Sequence, residues 1–117
     1  MRWSGKKVRE LLEELSNGQT NFKTFPTGRP IKDNRGSSVY PNGYFRIEGA
    51  YGGYKLVYVL PYSYGAITNV TDGFVSSGKI ADFLMIFGAD GLKRRFREYQ
   101  EKYKPVEKEM FYRKYRG

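Results

Sequence analysis

The sequence predicts an α+β fold with an N-terminal helix, an antiparallel three-stranded sheet around a Gly-Gly hairpin, and two C-terminal helices. Three observations predict it: apolar residues at helical spacing in the first 15 positions, two β-rich runs flanking Gly52-Gly53, and two further helical stripes after residue 76. A chain of 117 residues has room for one hydrophobic core. We therefore expect a single domain over residues 1–104 and a basic, Tyr-rich tail over residues 105–117.

The first helix is indicated by apolar residues that share one face, namely Trp3, Val8, Leu11, Leu12 and Leu15. Ser4 precedes them as a plausible N-cap, and Asn17-Gly18 is a typical helix end. From Gln19 to Asn42 the chain shows no periodicity and is interrupted by Pro and Gly, which predicts a long loop. Three cations make this loop basic: Arg29, Lys32 and Arg35. An arm that reaches a ligand and a plain connector are both open interpretations.

The two runs around Gly52-Gly53 predict a hairpin with these two glycines as its turn. That register pairs Phe45 with Leu60, Ile47 with Tyr58, and Tyr51 with Tyr54. One face of the hairpin is then apolar and suited to the core, and consists of Phe45, Ile47, Tyr51, Tyr54, Leu56, Tyr58 and Leu60. The other face is mixed and open to solvent or to a ligand, and consists of Tyr44, Arg46, Glu48, Lys55, Val57 and Val59.

A short third strand is expected over 66–70, followed by a turn at 71–73. Ser76 or Ser77 then caps a helix that ends at Gly88, with a buried stripe of Ile80, Phe83, Leu84 and Phe87. Asp90 is expected to cap a last helix whose stripe is Leu92, Phe96, Tyr99 and Tyr103. Pro105 is expected to break that helix, which leaves the tail as a short helix or as disordered chain.

The composition argues against most catalytic chemistry. The chain has neither Cys nor His, so thiolate nucleophiles, Cys-ligated zinc and the usual neutral-pH acid or base are excluded. The acidic residues show no spacing typical of a metal nuclease. Residues 73–79 match most of the phosphate-binding loop pattern, but Ile80 occupies the position of the metal-binding hydroxyl, so a capped helix start is the better interpretation. We therefore expect a protein that is not an enzyme and uses no cofactor.

Positive charge is concentrated at the C-terminal end of the sequence. The net charge is +9, and residues 92–117 carry ten basic and four acidic side chains. Such an excess attracts polyanions, although a cluster of this kind is often only a solvated face. The tyrosines of the hairpin are equally open to two interpretations, as stacking platforms for bases or as ordinary packing. The candidate binding residues are Tyr44, Arg46, Lys55, Lys79, Lys93, Arg94, Arg95, Arg97, Arg113, Lys114 and Arg116.

The segment from Gly43 to Gly91 resembles small uncharacterised proteins of bacteriophages and prophages. The matching residues are Gly43, Phe45, Ile47, Ala50, Tyr51, Gly52, Gly53, Tyr54 and Leu56 in the strand pair, and Ile80, Phe83 and Leu84 in the helix. The resemblance covers about two fifths of the chain and leaves out the basic extension beyond Leu92. It implies a phage origin and an accessory role, and it supplies no catalytic residue.

Two functional hypotheses follow. In the first, the chain is a phage-type accessory protein that binds nucleic acid through the basic C-terminal helix and the sheet face. In the second, it is an anti-CRISPR-like inhibitor that docks on a host defence or nucleic-acid-handling complex. The sequence shows no signal-peptide pattern and no long apolar run, so we expect no membrane partner and a location in the host cytoplasm.

Overall fold

Two helices pack on one face of a three-stranded antiparallel sheet with strand order β3-β4-β5. The computed structural model describes residues 2–16 and 30–116, with side chains up to Lys114. The elements are α1 (Gly5–Leu15), β1 (Ile31–Lys32), β2 (Ser38–Val39), β3 (Tyr44–Ala50), β4 (Gly53–Val59), β5 (Ile67–Asn69) and α2 (Ser77–Phe111), followed by a π-helical turn (Tyr112–Arg116). The predicted α+β class, the N-terminal helix and the three-stranded sheet are thus confirmed.

The start of α1 follows the predicted capping pattern. Ser4 has an extended backbone and its Oγ accepts a hydrogen bond from the backbone N–H of Lys7 at 3.3 Å. Val8 and Leu12 are fully buried on the face that meets the sheet. The helix ends at Leu15 with Ser16 as its C-cap. The predicted stop at Asn17-Gly18 lies outside the described residues.

The hairpin forms, but its predicted register is wrong by two residues. Phe45 pairs with Tyr58, and Ile47 pairs with Leu56. The turn residues are Tyr51 and Gly52, which both have positive φ (54° and 72°), as a type I′ turn requires. Gly53 instead begins β4, where a side chain would crowd the backbone of Val75 at 3.0 Å.

The shift of two residues keeps the same side chains on each face of the sheet, because side chains alternate with a period of two. The core-facing residues Phe45, Ile47, Leu56 and Tyr58 are buried against α1 and α2. Tyr51, which was predicted to belong to this face, is 96% exposed at the turn. The outer face is less open than predicted, since Val57 and Val59 are buried in the central strand β4.

Part of the predicted loop over residues 19–42 is a second hairpin. β1 and β2 pair through Ile31 with Val39 and through Lys32 with Ser38. The buried carboxylate of Asp33 holds the connecting turn, because its Oδ1 accepts the backbone N–H groups of Arg35 and Ser37, both at 2.8 Å. The Tyr64 hydroxyl donates to the other carboxylate oxygen, and these hydrogen bonds lower the pKa of Asp33. Arg29 lies outside the described residues.

The C-terminal part of the fold is one long helix rather than the two separate helices predicted. Ser76 caps α2, and its Oγ accepts the backbone N–H of Lys79 at 3.2 Å. Gly88, the predicted end of the first helix, is instead a kink within α2, with φ 64° and ψ 179°. Only glycine adopts this backbone region readily. The predicted stripes hold on both sides of the kink, since Ile80, Leu84, Leu92 and Phe96 are fully buried.

The predicted helix break at Pro105 is also wrong, because α2 continues through Pro105 to Phe111. A proline inside a helix removes one backbone hydrogen bond and costs about 3 kcal/mol. Tertiary packing beyond it offsets this cost. Phe111 is buried in a second apolar cluster with Val39 and Tyr62, and its ring lies 5.7 Å from that of Tyr62.

Candidate nucleic-acid interface

Two of the exposed arginines in the second half of α2 line one shallow groove. Leu92 and Phe96 anchor this part of the helix in the core, and Arg94 and Arg97 are exposed. A helix held along one stripe fixes the direction in which its other side chains project. Arg94 and Arg97 are therefore presented from a rigid element, and Lys93 lies beside them on the same surface.

Three carboxylates share this surface with the cations. Asp90, Glu98 and Glu101 line the same shallow groove, which has a volume of about 500 Å³. Nevertheless, Arg94 and Arg97 form no ion pair with any residue that the structure describes. The surface is thus mixed in sign, and both guanidinium groups can still turn toward an external anion.

The cations of the sheet lie on a different side of the molecule. Arg46 and Lys55 project from the face opposite Phe45 and Leu56, whose side chains meet the helices. Arg46 forms an ion pair with Glu48, and the Lys55 ammonium lies 4.7 Å from the centre of the Phe74 ring. The structure therefore does not bring them into one groove with Arg94 and Arg97.

Tyr44 lies next to Arg46 in a smaller cleft on the outer face of the sheet. The cleft has a volume of about 260 Å³ and is also lined by Tyr40 and Tyr64. The rings of Tyr40 and Tyr44 meet edge to face at 5.2 Å. Tyr58 faces the core instead, and burial raises the pKa of its hydroxyl. The hairpin tyrosines thus divide between packing and an aromatic cleft.

Lys79 and Arg95 are brought together, although 16 positions separate them in the sequence. Both line a groove between α2 and the segment that precedes it. The Arg95 guanidinium lies 5.6 Å from the centre of the Phe87 ring. These two cations form a group separate from Arg94 and Arg97.

The C-terminal cations are placed near the end of α2. Arg113 donates to Glu109 at 2.8 Å, so its charge is compensated within one helical turn. Lys114 lines a cleft with Tyr62 and Met110. The side chain of Arg116 lies outside the described part of the chain.

The segment that matches most of a phosphate-binding loop is a capped helix start. Ser76 Oγ accepts the Lys79 N–H, and Ser77 Oγ donates to the backbone carbonyl of Trp3 at 2.8 Å. Both hydroxyl groups therefore have structural partners. Within residues 2–16 and 30–116, no group of three acidic side chains is placed to hold a metal ion. No helix in that part of the chain has the length and apolar character to cross a membrane.

The sequence did not indicate that Asn42 is a buried acceptor of three hydrogen bonds that join the sheet to α2. Asn42 is buried, and its Oδ1 accepts hydrogen bonds from Gln100 Nε2 at 2.6 Å and from Lys104 Nζ at 3.1 Å. Its backbone carbonyl accepts the Tyr58 hydroxyl at 2.7 Å. Lys104 is thus held against the fold rather than presented with the exposed cations. Nothing in the local sequence signals these contacts, since the partners are about 60 positions away.

Comparisons with family models, with curated proteins and with solved structures find no match to this chain. The resemblance to phage proteins and the two functional hypotheses therefore stay predictions.

Proposed function

We propose that this chain is a small nucleic-acid-binding protein that contacts the phosphate backbone through the second half of α2 and catalyses no reaction. The observation that supports the proposal is the exposure of Arg94 and Arg97, without a carboxylate partner among the described residues, on a helix anchored by Leu92 and Phe96. Arginine is well suited to phosphate because its planar guanidinium donates two parallel hydrogen bonds.

The length of the helix fits contact with several phosphates. Lys108 is exposed farther along α2, and about 21 Å of helix separates it from Arg94 at 1.5 Å per residue. Duplex DNA carries one phosphate per roughly 1.7 Å of axis, so three contacts fit within that span. Arg94, Arg97 and Lys108 are the residues assigned to them.

Three contacts give a definite salt dependence. Each neutralised phosphate contributes about 0.9 to the slope of log affinity against log salt, so three contacts give a slope near −2.7. Affinity then falls roughly 40-fold between 50 and 200 mM salt. The measurement is fluorescence anisotropy with a labelled duplex and with the corresponding single strand, each titrated at several salt concentrations.

The double variant Arg94→Gln/Arg97→Gln tests the assignment. It removes two contacts and should reduce the slope by about 1.8. The matched control is Lys6→Gln/Lys7→Gln, which removes the same charge from exposed positions of α1. Equal loss of affinity in both variants would mean a diffuse charge effect, and a binding curve that does not respond to salt would contradict the proposal.

The inhibitor hypothesis predicts a different outcome. A tagged chain would then retain one host protein in a pull-down after complete nuclease digestion. Recovery of nucleic acid with the tagged chain before digestion, and its loss from Arg94→Gln/Arg97→Gln, supports the nucleic-acid proposal instead.

A further inference from the structure

A mostly apolar groove with two cations at its border lies beside the first half of α2. The groove has a volume of about 430 Å³, which falls in the range of small binding clefts. Its lining residues are Val70, Thr71, Asp72, Val75, Lys79, Phe83, Ile86, Phe87 and Arg95. It shares none of the residues assigned to the nucleic-acid interface.

One aliphatic side chain of this groove is unusually open to solvent. Ile86 is 79% exposed, and Met85, its neighbour in the sequence, is 51% exposed. Single exposed apolar residues are normal on protein surfaces, whereas contiguous exposed apolar side chains mark interaction sites. Phe83 and Phe87 are half-buried next to them, with their rings stacked at 6.5 Å.

The cationic border of this groove includes residues on both sides of the kink at Gly88. Phe87 precedes the kink and Arg95 follows it, and the Arg95 guanidinium lies 5.6 Å from the Phe87 ring centre. Phe83, Phe87 and Arg95 thus form a continuous row of two aromatic rings and one guanidinium.

The charges at the groove favour an acidic occupant. Lys79 and Arg95 are exposed, and neither forms an ion pair with a described residue. Asp72 is the one carboxylate among the lining residues. A second copy of this chain is disfavoured as occupant because two chains of charge +9 repel each other.

We propose that this groove docks an acidic amphipathic segment of a partner protein, whose apolar side chains pack on Phe83, Ile86 and Phe87 while its carboxylates meet Lys79 and Arg95. Aromatic residues and arginine are the residue types that contribute most at such interfaces. The docking site is independent of the nucleic-acid interface, so one chain can bind both partners.

The test uses three synthetic helical peptides and the full-length, ¹⁵N-labelled chain. The first peptide carries Leu and Phe at i, i+4 and i+7 with Glu on the adjacent positions. The second has Lys in place of Glu, and the third has Ala in place of the apolar residues. The expected result is that only the first peptide shifts the backbone amide signals of Lys79, Phe83, Ile86 and Phe87.

Two variants make the result specific. Ile86→Asp changes an exposed residue and should weaken binding of the acidic peptide on the order of tenfold. Lys79→Glu/Arg95→Glu should abolish binding of the acidic peptide and allow binding of the Lys peptide. Arg94→Gln/Arg97→Gln is the control that should leave the peptide-induced shifts unchanged, whatever its effect on nucleic acid.

Several results would overturn the proposal. One is equal shifts with the Ala-substituted peptide, which would mean attraction by charge alone. Another is the absence of shifts with about 1 mM acidic peptide, since the dissociation constant would then lie well above about 1 mM. A third is a concentration-dependent dimer that Ile86→Asp abolishes, because the occupant would then be a second copy of the chain.

Discussion

Replacing Phe111 by alanine tests whether the end of α2 belongs to the folded core or to a separable tail. Phe111 is 2% exposed and packs with Val39 and Tyr62. Truncating a buried phenylalanine to alanine costs about 3–5 kcal/mol. The cluster is small and lies apart from the main core, so the site can partly collapse. We therefore expect a loss of about 3 kcal/mol, a large share of the 5–15 kcal/mol typical of a domain.

The matched control is Met110→Ala. Met110 is adjacent in the sequence but 59% exposed, so its replacement should change stability by less than about 1 kcal/mol. The free energy of unfolding is measured by urea denaturation, followed by far-UV circular dichroism. For a chain of this size, the Phe111→Ala variant should also lose roughly 10–15 °C in Tm.

Truncation after Lys104 extends the same test. It removes Phe111 and the last turns of α2, so the shortened chain should be at least as unstable as Phe111→Ala. If Phe111→Ala is as stable as Met110→Ala and the truncated chain keeps the Tm of the full chain, Phe111 does not contribute to the stability of the fold. Residues 105–117 would then behave as the tail that the sequence predicted.

Two further predictions concern turns. Gly43→Ala should cost at least about 2 kcal/mol, because Gly43 has φ 68° and an added Cβ would lie 2.6 Å from the Tyr58 hydroxyl. Gly36 has φ 83° but open space around it, so Gly36→Ala should be destabilised only by backbone strain. Thermal melts of Gly43→Ala and Gly36→Ala compare the two costs. The pKa of Asp33 is lowered from 3.8, so the carboxylate contributes fully to the stability of the fold above about pH 4. This contribution is lost as the pH falls through the folded-state pKa. Asp33→Asn should therefore lose less stability in acid than the parent chain does. Equal acid sensitivity of Asp33→Asn and the parent chain would contradict the second of these predictions.

Helical periodicity and capping residues predicted the helices because both are local signals. Ser4 and Ser76 cap the helices as expected, and the stripes around Leu84 and Phe96 are buried. The hairpin register could not be predicted from the apolar pattern of the strands. A shift of two residues keeps every side chain on its face, so the apolar pattern fits both registers. In the observed register Gly53 lies close to the backbone of Val75, which is a tertiary contact that the local sequence does not show.

The end of α2 and the grouping of the basic side chains also depend on tertiary contacts, so the local sequence does not predict them. Pro105 is locally a strong helix breaker, and the packing of Phe111 on the distant residues Val39 and Tyr62 stabilises the helix beyond it. Composition located the basic residues in α2. It could not separate the exposed Arg94 from Lys104, which Asn42 binds. Lys79 and Arg95 line one groove although 16 positions and the kink at Gly88 separate them, so these two cations could not be grouped from their positions in the sequence.

Asn42 connects the segment before β3 to α2 through its side-chain hydrogen bonds. Asn42→Ala leaves the Gln100 amide and the Lys104 ammonium without this acceptor in a partly buried site. Leaving such groups unsatisfied costs about 1–3 kcal/mol, so stability should fall by about that amount. Asn42→Asp keeps an acceptor oxygen and adds a charge opposite Lys104, so we expect it to lose less.

A double-mutant cycle distinguishes this network from a simple packing effect. Gln100→Ala should cost less in the Asn42→Ala background than in the parent chain, with a coupling of at least about 0.5 kcal/mol in urea denaturation. Strictly additive losses would mean that the hydrogen bond from Gln100 to Asn42 contributes nothing to stability. If Asn42→Asp is also as unstable as Asn42→Ala, an acceptor oxygen opposite the Lys104 ammonium does not stabilise the fold either. The importance of Asn42 would then lie only in the backbone carbonyl that accepts the Tyr58 hydroxyl, which every substitution at this position retains.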